Sequence, residues 1–100
     1  MRLNQTEIDS INQLARKHFG AETRVSLFGS RVDDLKKGGD IDLLVKNNDE
    51  SRLTVVAKVW FLAELKRIIG DQKIDVVFDN SQTRMKTNFY RSITSQQIEL

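Results

Sequence analysis

Between Val25 and Val45 the chain reads VSLFGSRVDDLKKGGDIDLLV, and no other stretch limits its fold as tightly. An apolar run stops at Gly29-Ser30, a polar connection follows, Gly38-Gly39 marks a turn, and a second apolar run opens on two aspartates. This is the pattern of two strands, with one or two helical turns and a loop expected from Arg31 to Lys37. Along Asp40-Ile41-Asp42-Leu43-Leu44-Val45, strand side chains alternate between faces. Asp40 and Asp42 therefore point one way, and Ile41, Leu43 and Val45 the other. Two carboxylates on one face stand about 6.5–7 Å apart along the backbone. Uncompensated, they repel, and one is driven to protonate; a bound divalent cation removes the conflict. Mg²⁺ takes carboxylate oxygens and leaves positions open for water and phosphates, as phosphoryl or nucleotidyl transfer requires. Gly29 lets a phosphate approach the backbone, Ser30 offers a hydroxyl, and the N–H groups of the next turn suit an anion.

Phe28-Gly29-Ser30, nine residues, then Asp40-Ile41-Asp42-Leu43, resembles the signature of the DNA polymerase β-like nucleotidyltransferase superfamily, with a connection at the short end of its range. The superfamily also needs a third carboxylate on a later strand. Lys73-Ile74-Asp75-Val76-Val77-Phe78 supplies one, since Ile74, Val76 and Phe78 share a face and Asp75 stands on the other. The match spans nearly the whole chain and is similar to the minimal nucleotidyltransferases, small proteins that are often antitoxin partners of HEPN-domain proteins.

Each element also has a plainer reading. A lone Asp-x-Asp is more often a solvated strand end than a metal site. Asp75 is costly between apolar neighbours unless it pairs with Arg24, Arg31 or Lys73, or holds a metal. Gly29-Ser30 could be an ordinary turn with a helix cap, a role compatible with phosphate binding. The three features together favour the functional reading.

One hundred residues predict a single domain over 1–100, with a radius of gyration near 13 Å. The absence of cysteine excludes disulfides and thiolate metal sites, and one histidine, His18, argues against His-based zinc chemistry and a Ser-His-Asp triad. His18 itself reads as structural. Nothing resembles a signal peptide or a membrane span, so a cytoplasmic protein is expected. The net charge of +2 is mild and dispersed, so no direct binding of nucleic acid is expected, while a basic excess suits a polyphosphate ligand.

Asn4 to His18 reads as a helix, with Asn4 and Glu7 as a capping box, Leu3 stapled on Ile8, and Gly20 ending it. Glu22 to Phe28 is the first strand. Asp33 and Asp34 in the connection are expected to be solvated, as are Lys36 and Lys37. Asn47-Asn48-Asp49 reads as a turn. Asp49 or Ser51 is the expected cap of a long helix running to about Ile69, with Leu53, Val56, Ala57, Trp60, Ala63 and Ile68 as its stripe and Phe61, Leu62 and Leu65 widening it. So wide an apolar surface fits either deep burial or a partner. Lys73 to Phe78 is the third strand, Arg84 to about Gln96 a weaker helix on Met85, Phe89 and Ile93, and Gln97 to Leu100 an edge strand or extended tail. Tyr90 reads as a packing or partner residue.

The expected fold is α/β (α+β): a polymerase β-like palm, a mixed sheet with helices packed on one face. Ile41, Leu43, Val45, Ile74, Val76 and Phe78 would meet the helices, and Asp40, Asp42 and Asp75 an open cleft. The resemblance implies transfer of a nucleoside monophosphate, AMP from ATP being favoured, onto an acceptor hydroxyl. Asp40 and Asp42 would hold one Mg²⁺ against the triphosphate, and Asp75 would join them at a second. Gly29 and Ser30 would grip the β and γ phosphates, with Arg31 helping to neutralise the leaving pyrophosphate. Larger relatives carry acceptor-binding domains, so the acceptor here is expected to belong to another protein, a HEPN-family toxin silenced by the modification. The alternative is a non-catalytic antitoxin that neutralises its partner by binding, with a vestigial nucleotide site. A structural Ca²⁺ site lacks EF-hand spacing.

Overall fold

A computed structural model describes residues 3–32 and 39–100, and the Ser30 side chain is outside that description. The expected roles of Asp33, Asp34, Lys36, Lys37 and Gly38 fall outside the described residues.

The chain opens with α1 (Gln5–Phe19), and its start follows from the sequence. The Asn4 side chain accepts from the Glu7 N–H and the Glu7 carboxylate accepts from the Asn4 N–H, satisfying two amides that a helix end leaves unpaired. Gly20, at φ +112°, ends the helix where an L side chain would be strained. Phe19 extends α1 one residue beyond the expected end and is fully buried. The first strand, β1 (Arg24–Phe28), runs into a 3-10 turn over Gly29–Val32, and β2 (Ile41–Lys46) returns antiparallel beside it.

Across the crossover lies α2 (Val55–Ile69), whose cap is Thr54, accepting from the Ala57 N–H. Asp49 instead caps a separate 3-10 turn over Glu50–Arg52, so neither Asp49 nor Ser51 caps the long helix. β3 (Ile74–Phe78) then lies parallel to β2. The C-terminal segment is α3 (Ser81–Met85), capped by Asn80, then α4 (Thr87–Thr94), with a break at Lys86 (φ −83°, ψ 72°). The single weaker helix expected there is thus two. The tail adds β4 (Ile98–Glu99), antiparallel to β1. Sheet order is β3-β2-β1-β4.

Ile41, Leu43, Val45, Ile74 and Val76 face α1 and α2, with Ile11, Leu14, Phe19, Phe61 and Leu65 filling the space between; Phe78 packs at the margin, its ring 5.5 Å from that of Phe19. The radius of gyration is 12.9 Å. Within α2 the stripe is phased differently from the expectation. Phe61 and Leu65 are the buried residues, while Val56 and Trp60 stand 68% and 60% exposed. Val55, Val59, Ala63 and Ile68 are also exposed. Phe61 and Leu65 sit one turn apart and meet the sheet, and Ala57, Leu62 and Ile69 pack against the same core from its margin; among the described residues nothing covers Val55, Val56, Val59, Trp60 and Ile68.

The other sheet face is partly covered. Leu44, between Asp42 and Lys46 on that face, is 3% exposed, and Ile93 of α4 is also buried. Tyr90 lines one cavity with Ser26, Leu44 and Lys46. Past β3, buried Asp79 accepts from Arg84 Nη1 (2.9 Å) and the Tyr90 hydroxyl (3.0 Å), and Arg84 also reaches Glu50 (2.8 Å). Among the described residues no helix is long and apolar enough to cross a membrane.

Candidate functional site

The β1–β2 register sets Phe28 opposite Asp42, and the β2–β3 register sets Asp42 opposite Asp75. Because paired strand residues project to the same side, two carboxylates on different strands become lateral neighbours. Asp40, just before β2, joins them, and one carboxylate oxygen from each of the three lies within 4.8 Å of the others. An oxygen-donor set of this size suits a divalent cation. Electrostatics agree with that fit. Burial raises the Asp42 pKa above the usual carboxylate range; the charges of Asp75 and then Asp40, and a hydrogen bond with Asp75, push it the same way. Lys73 opposes this in part. Its ammonium lies 3.5 Å from an Asp40 oxygen.

Asp75 is exposed and forms no ion pair among the described residues. The expected cost of burying it is therefore small: β3 is an edge strand, and water reaches its carboxylate. None of the three ion-pair partners considered for it is used. Instead Arg31 spans the loops, donating to the Gly39 carbonyl (3.4 Å) and the Gln72 side chain (3.0 Å). Gln72 in turn donates to Glu7 (2.8 Å) and the Ile69 carbonyl (3.1 Å). Arg31 thus fastens the approach to β2 against the approach to β3.

Gly29 sits at φ +78°, and a Cβ there would run into the Asp42 carboxylate. The glycine is required twice, by its backbone and by the neighbouring side chain. Its backbone and that of Ser30 begin the 3-10 turn beside the acidic cluster.

A sequence model described as a nucleotidyltransferase domain matches residues 8–98. The chain belongs to the nucleotidyltransferase domain family. No curated protein matches it. The match runs from α1 to β4, so it takes in both β-strands of the Gly-Ser/Asp-x-Asp motif and Asp75 together. For a nucleotidyltransferase, the mixed sheet and the three converging carboxylates are the expected fold and a fitting metal-binding group.

One feature of this nucleotidyltransferase was not foreseen from sequence: the Asp79–Arg84–Tyr90 network, which ties α3 and α4 to the end of β3; a single aspartate after a strand carries no pattern. The open cleft expected at the acids corresponds to a cavity of about 470 Å³, lined by Phe28, Asp42, Asp75, Val77, Lys58 and Phe89 among others. Its walls from α2 and α4 had no signal in the sequence. His18, read as structural, lies 3.5 Å from Glu64 on α2, a partner 46 positions distant in sequence.

Proposed function

We propose that the protein is a Mg²⁺-dependent nucleotidyltransferase that moves AMP from ATP onto a hydroxyl of a partner protein. The observation that carries this reading is the meeting of Asp40, Asp42 and Asp75 within 4.8 Å, directly beside Gly29. In this reading Asp40 and Asp42 hold metal and Asp75 completes the set, with two ions expected. Bound there, Mg²⁺ supplies charge neutralisation for the triphosphate and a lowered pKa for the acceptor hydroxyl.

The chain's own groups divide the remaining work. Backbone N–H groups at Gly29 and Ser30 receive the β and γ phosphates, with the Ser30 hydroxyl as a further donor. Arg31, fixed by Gly39 and Gln72, contributes positive charge near the leaving group. The acceptor oxygen attacks the α phosphorus, forming a new P–O bond, while the α–β bridging bond breaks and pyrophosphate departs. The hydroxyl proton passes to a carboxylate of the cluster.

The favoured acceptor is a HEPN-family toxin in a cytoplasmic toxin–antitoxin pair, with this single-domain chain as antitoxin. Support comes from the likeness to minimal nucleotidyltransferases and from the uncovered apolar residues of α2.

The test is intact mass of a HEPN protein encoded beside this one, incubated with it, Mg²⁺ and each of the four nucleoside triphosphates. Gain of AMP units, lost with Asp40→Asn or Asp42→Asn, is the expected outcome. A stable complex with no mass gain from any nucleotide would replace transfer with neutralisation by binding alone.

A further inference from the structure

Ile74, Asp75, Val76 and Val77 all line the 470 Å³ cavity beside the acids. Successive strand residues point to opposite faces, so four in a row can border one space only if it lies along the strand's edge. β3 is that edge, since the sheet order places it outermost. The walls of the groove are Lys58 and Leu62 from α2 on one side and Phe89 from α4 on the other.

The hydrogen-bond phase of β3 identifies which backbone groups face the groove. Ile41 N–H donates to the Lys73 carbonyl, and Asp79 N–H to the Val45 carbonyl. With a period of two, residues 73, 75, 77 and 79 turn their amides toward β2. Ile74, Val76 and Phe78 turn theirs outward, and no described residue pairs with them. A row of unpaired N–H and C=O groups is a template for another main chain.

We propose that the acceptor is an extended polypeptide segment that adds to β3 as a fifth strand, placing a hydroxyl side chain beside Asp75. This rests on the nucleotidyl-transfer reading above and names its substrate class. The residue added opposite Asp75 projects to the same sheet face, extending the row Phe28, Asp42, Asp75 by one place. Adjacent strands stand about 4.8 Å apart, which brings a Ser, Thr or Tyr hydroxyl within reach of the carboxylates. Gly29 and the phosphate-binding turn lie on the opposite side of Asp42, as in-line displacement requires of nucleophile and leaving group. The residues flanking the hydroxyl face α2, where Lys58 favours one acidic side chain and Leu62 one apolar one.

The probe is a pair of nine-residue peptides with central Thr, flanked by Glu and Val in either order, and a set of copies each N-methylated at one position. Two quantities are read: AMP transfer from ATP by the wild-type protein with Mg²⁺, and binding to Asp42→Asn protein by calorimetry. Methylation is expected to weaken both about tenfold at every second position, with little effect between, as loss of one main-chain hydrogen bond and added bulk dictate. The affected set also reports direction: the hydroxyl residue itself in a parallel addition, its neighbours in an antiparallel one. Val76→Pro, which removes an outward N–H at an edge position where proline is tolerated, is expected to abolish peptide labelling. No binding by either peptide, or methylation effects without the alternation, would overturn the proposal. So would AMP transfer to an oligonucleotide 3′ end, unaffected by Val76→Pro, in place of peptide, and in that case nucleotidyl transfer itself survives. Alternating effects on binding with no AMP transferred to any acceptor would support strand addition and refute the transfer reading.

Discussion

At Asp42 two requirements collide: a cation site of the kind proposed needs three anions together, and the folded chain is destabilised by them. Its pKa is raised, so protonation is favoured in the folded state. The stabilising protonated form is fully present below the unfolded aspartate pKa and is lost as pH rises through the folded value. Without metal, Asp42→Asn should therefore raise the melting temperature at pH 7 to 8, and the gain should shrink on acidification. Half-exposure and solvent screening keep the effect below about 1 kcal/mol. Mg²⁺ should stabilise the wild type and leave the variant nearly unmoved; calorimetric scans with and without the ion check both. Gly29 presents the converse case. Gly29→Ala must adopt φ +78° and displace the Asp42 carboxylate, so a loss of about 1–3 kcal/mol in urea unfolding is expected, with Mg²⁺ affinity falling too. A loss of stability with metal affinity intact would mean that Gly29 serves the turn alone.

Among the elements, the C-terminal pair depends on few contacts. Asp79 is buried and holds Arg84 and Tyr90 together, so Tyr90→Phe, which removes one of the hydrogen bonds, should cost about 1 kcal/mol. The loss should appear as faster amide exchange confined to α3 and α4. Faster exchange in β2 as well would show that the network braces the whole sheet. Legibility also varied by element. The Asn4–Glu7 box, the alternation in β2 and the position of Asp75 are local patterns with one meaning, and they placed α1 and the acids correctly. The phase of α2 was not legible, because apolar residues occupy nearly every side of it from Val55 to Ile69 and periodicity then has no unique direction. Its cap was misplaced for a related reason: Asp49, Ser51 and Thr54 all carry a suitable oxygen, and only the intervening 3-10 turn decides among them. The break at Lys86 and the cover over Leu44 depend on contacts between distant residues, which no local window contains.

At the scale of the whole molecule, one face of α2 is left without a covering layer among the described residues. Val55, Val59 and the groove residues Lys58 and Leu62 lie side by side on the helix, so this surface continues directly from the edge of β3. Val56, Ala63 and Trp60 extend it around the helix. Trp60 is the sole tryptophan and stands 60% exposed. Its emission should be red-shifted and readily quenched by iodide in the isolated protein, and unfolding should change it little. Binding of a partner over this surface should shift it to the blue and protect it. An unchanged spectrum in a saturated complex would place the partner elsewhere.

The acids arrive on two pieces of chain. Asp40 and Asp42 lie on the hairpin completed by Lys46, whereas Asp75 comes only after the crossover through α2. During synthesis the hairpin can pair while β3 is still being made, but the carboxylate cluster cannot exist until Phe78 has left the ribosome and β3 has docked. Docking must then proceed against mutual repulsion, a cost that the earlier pairing of β1 with β2 does not carry. On the reading proposed above, a divalent cation held by the three acids would act on that docking step as a latch, so an ion bound for chemistry would also time the closing of β3.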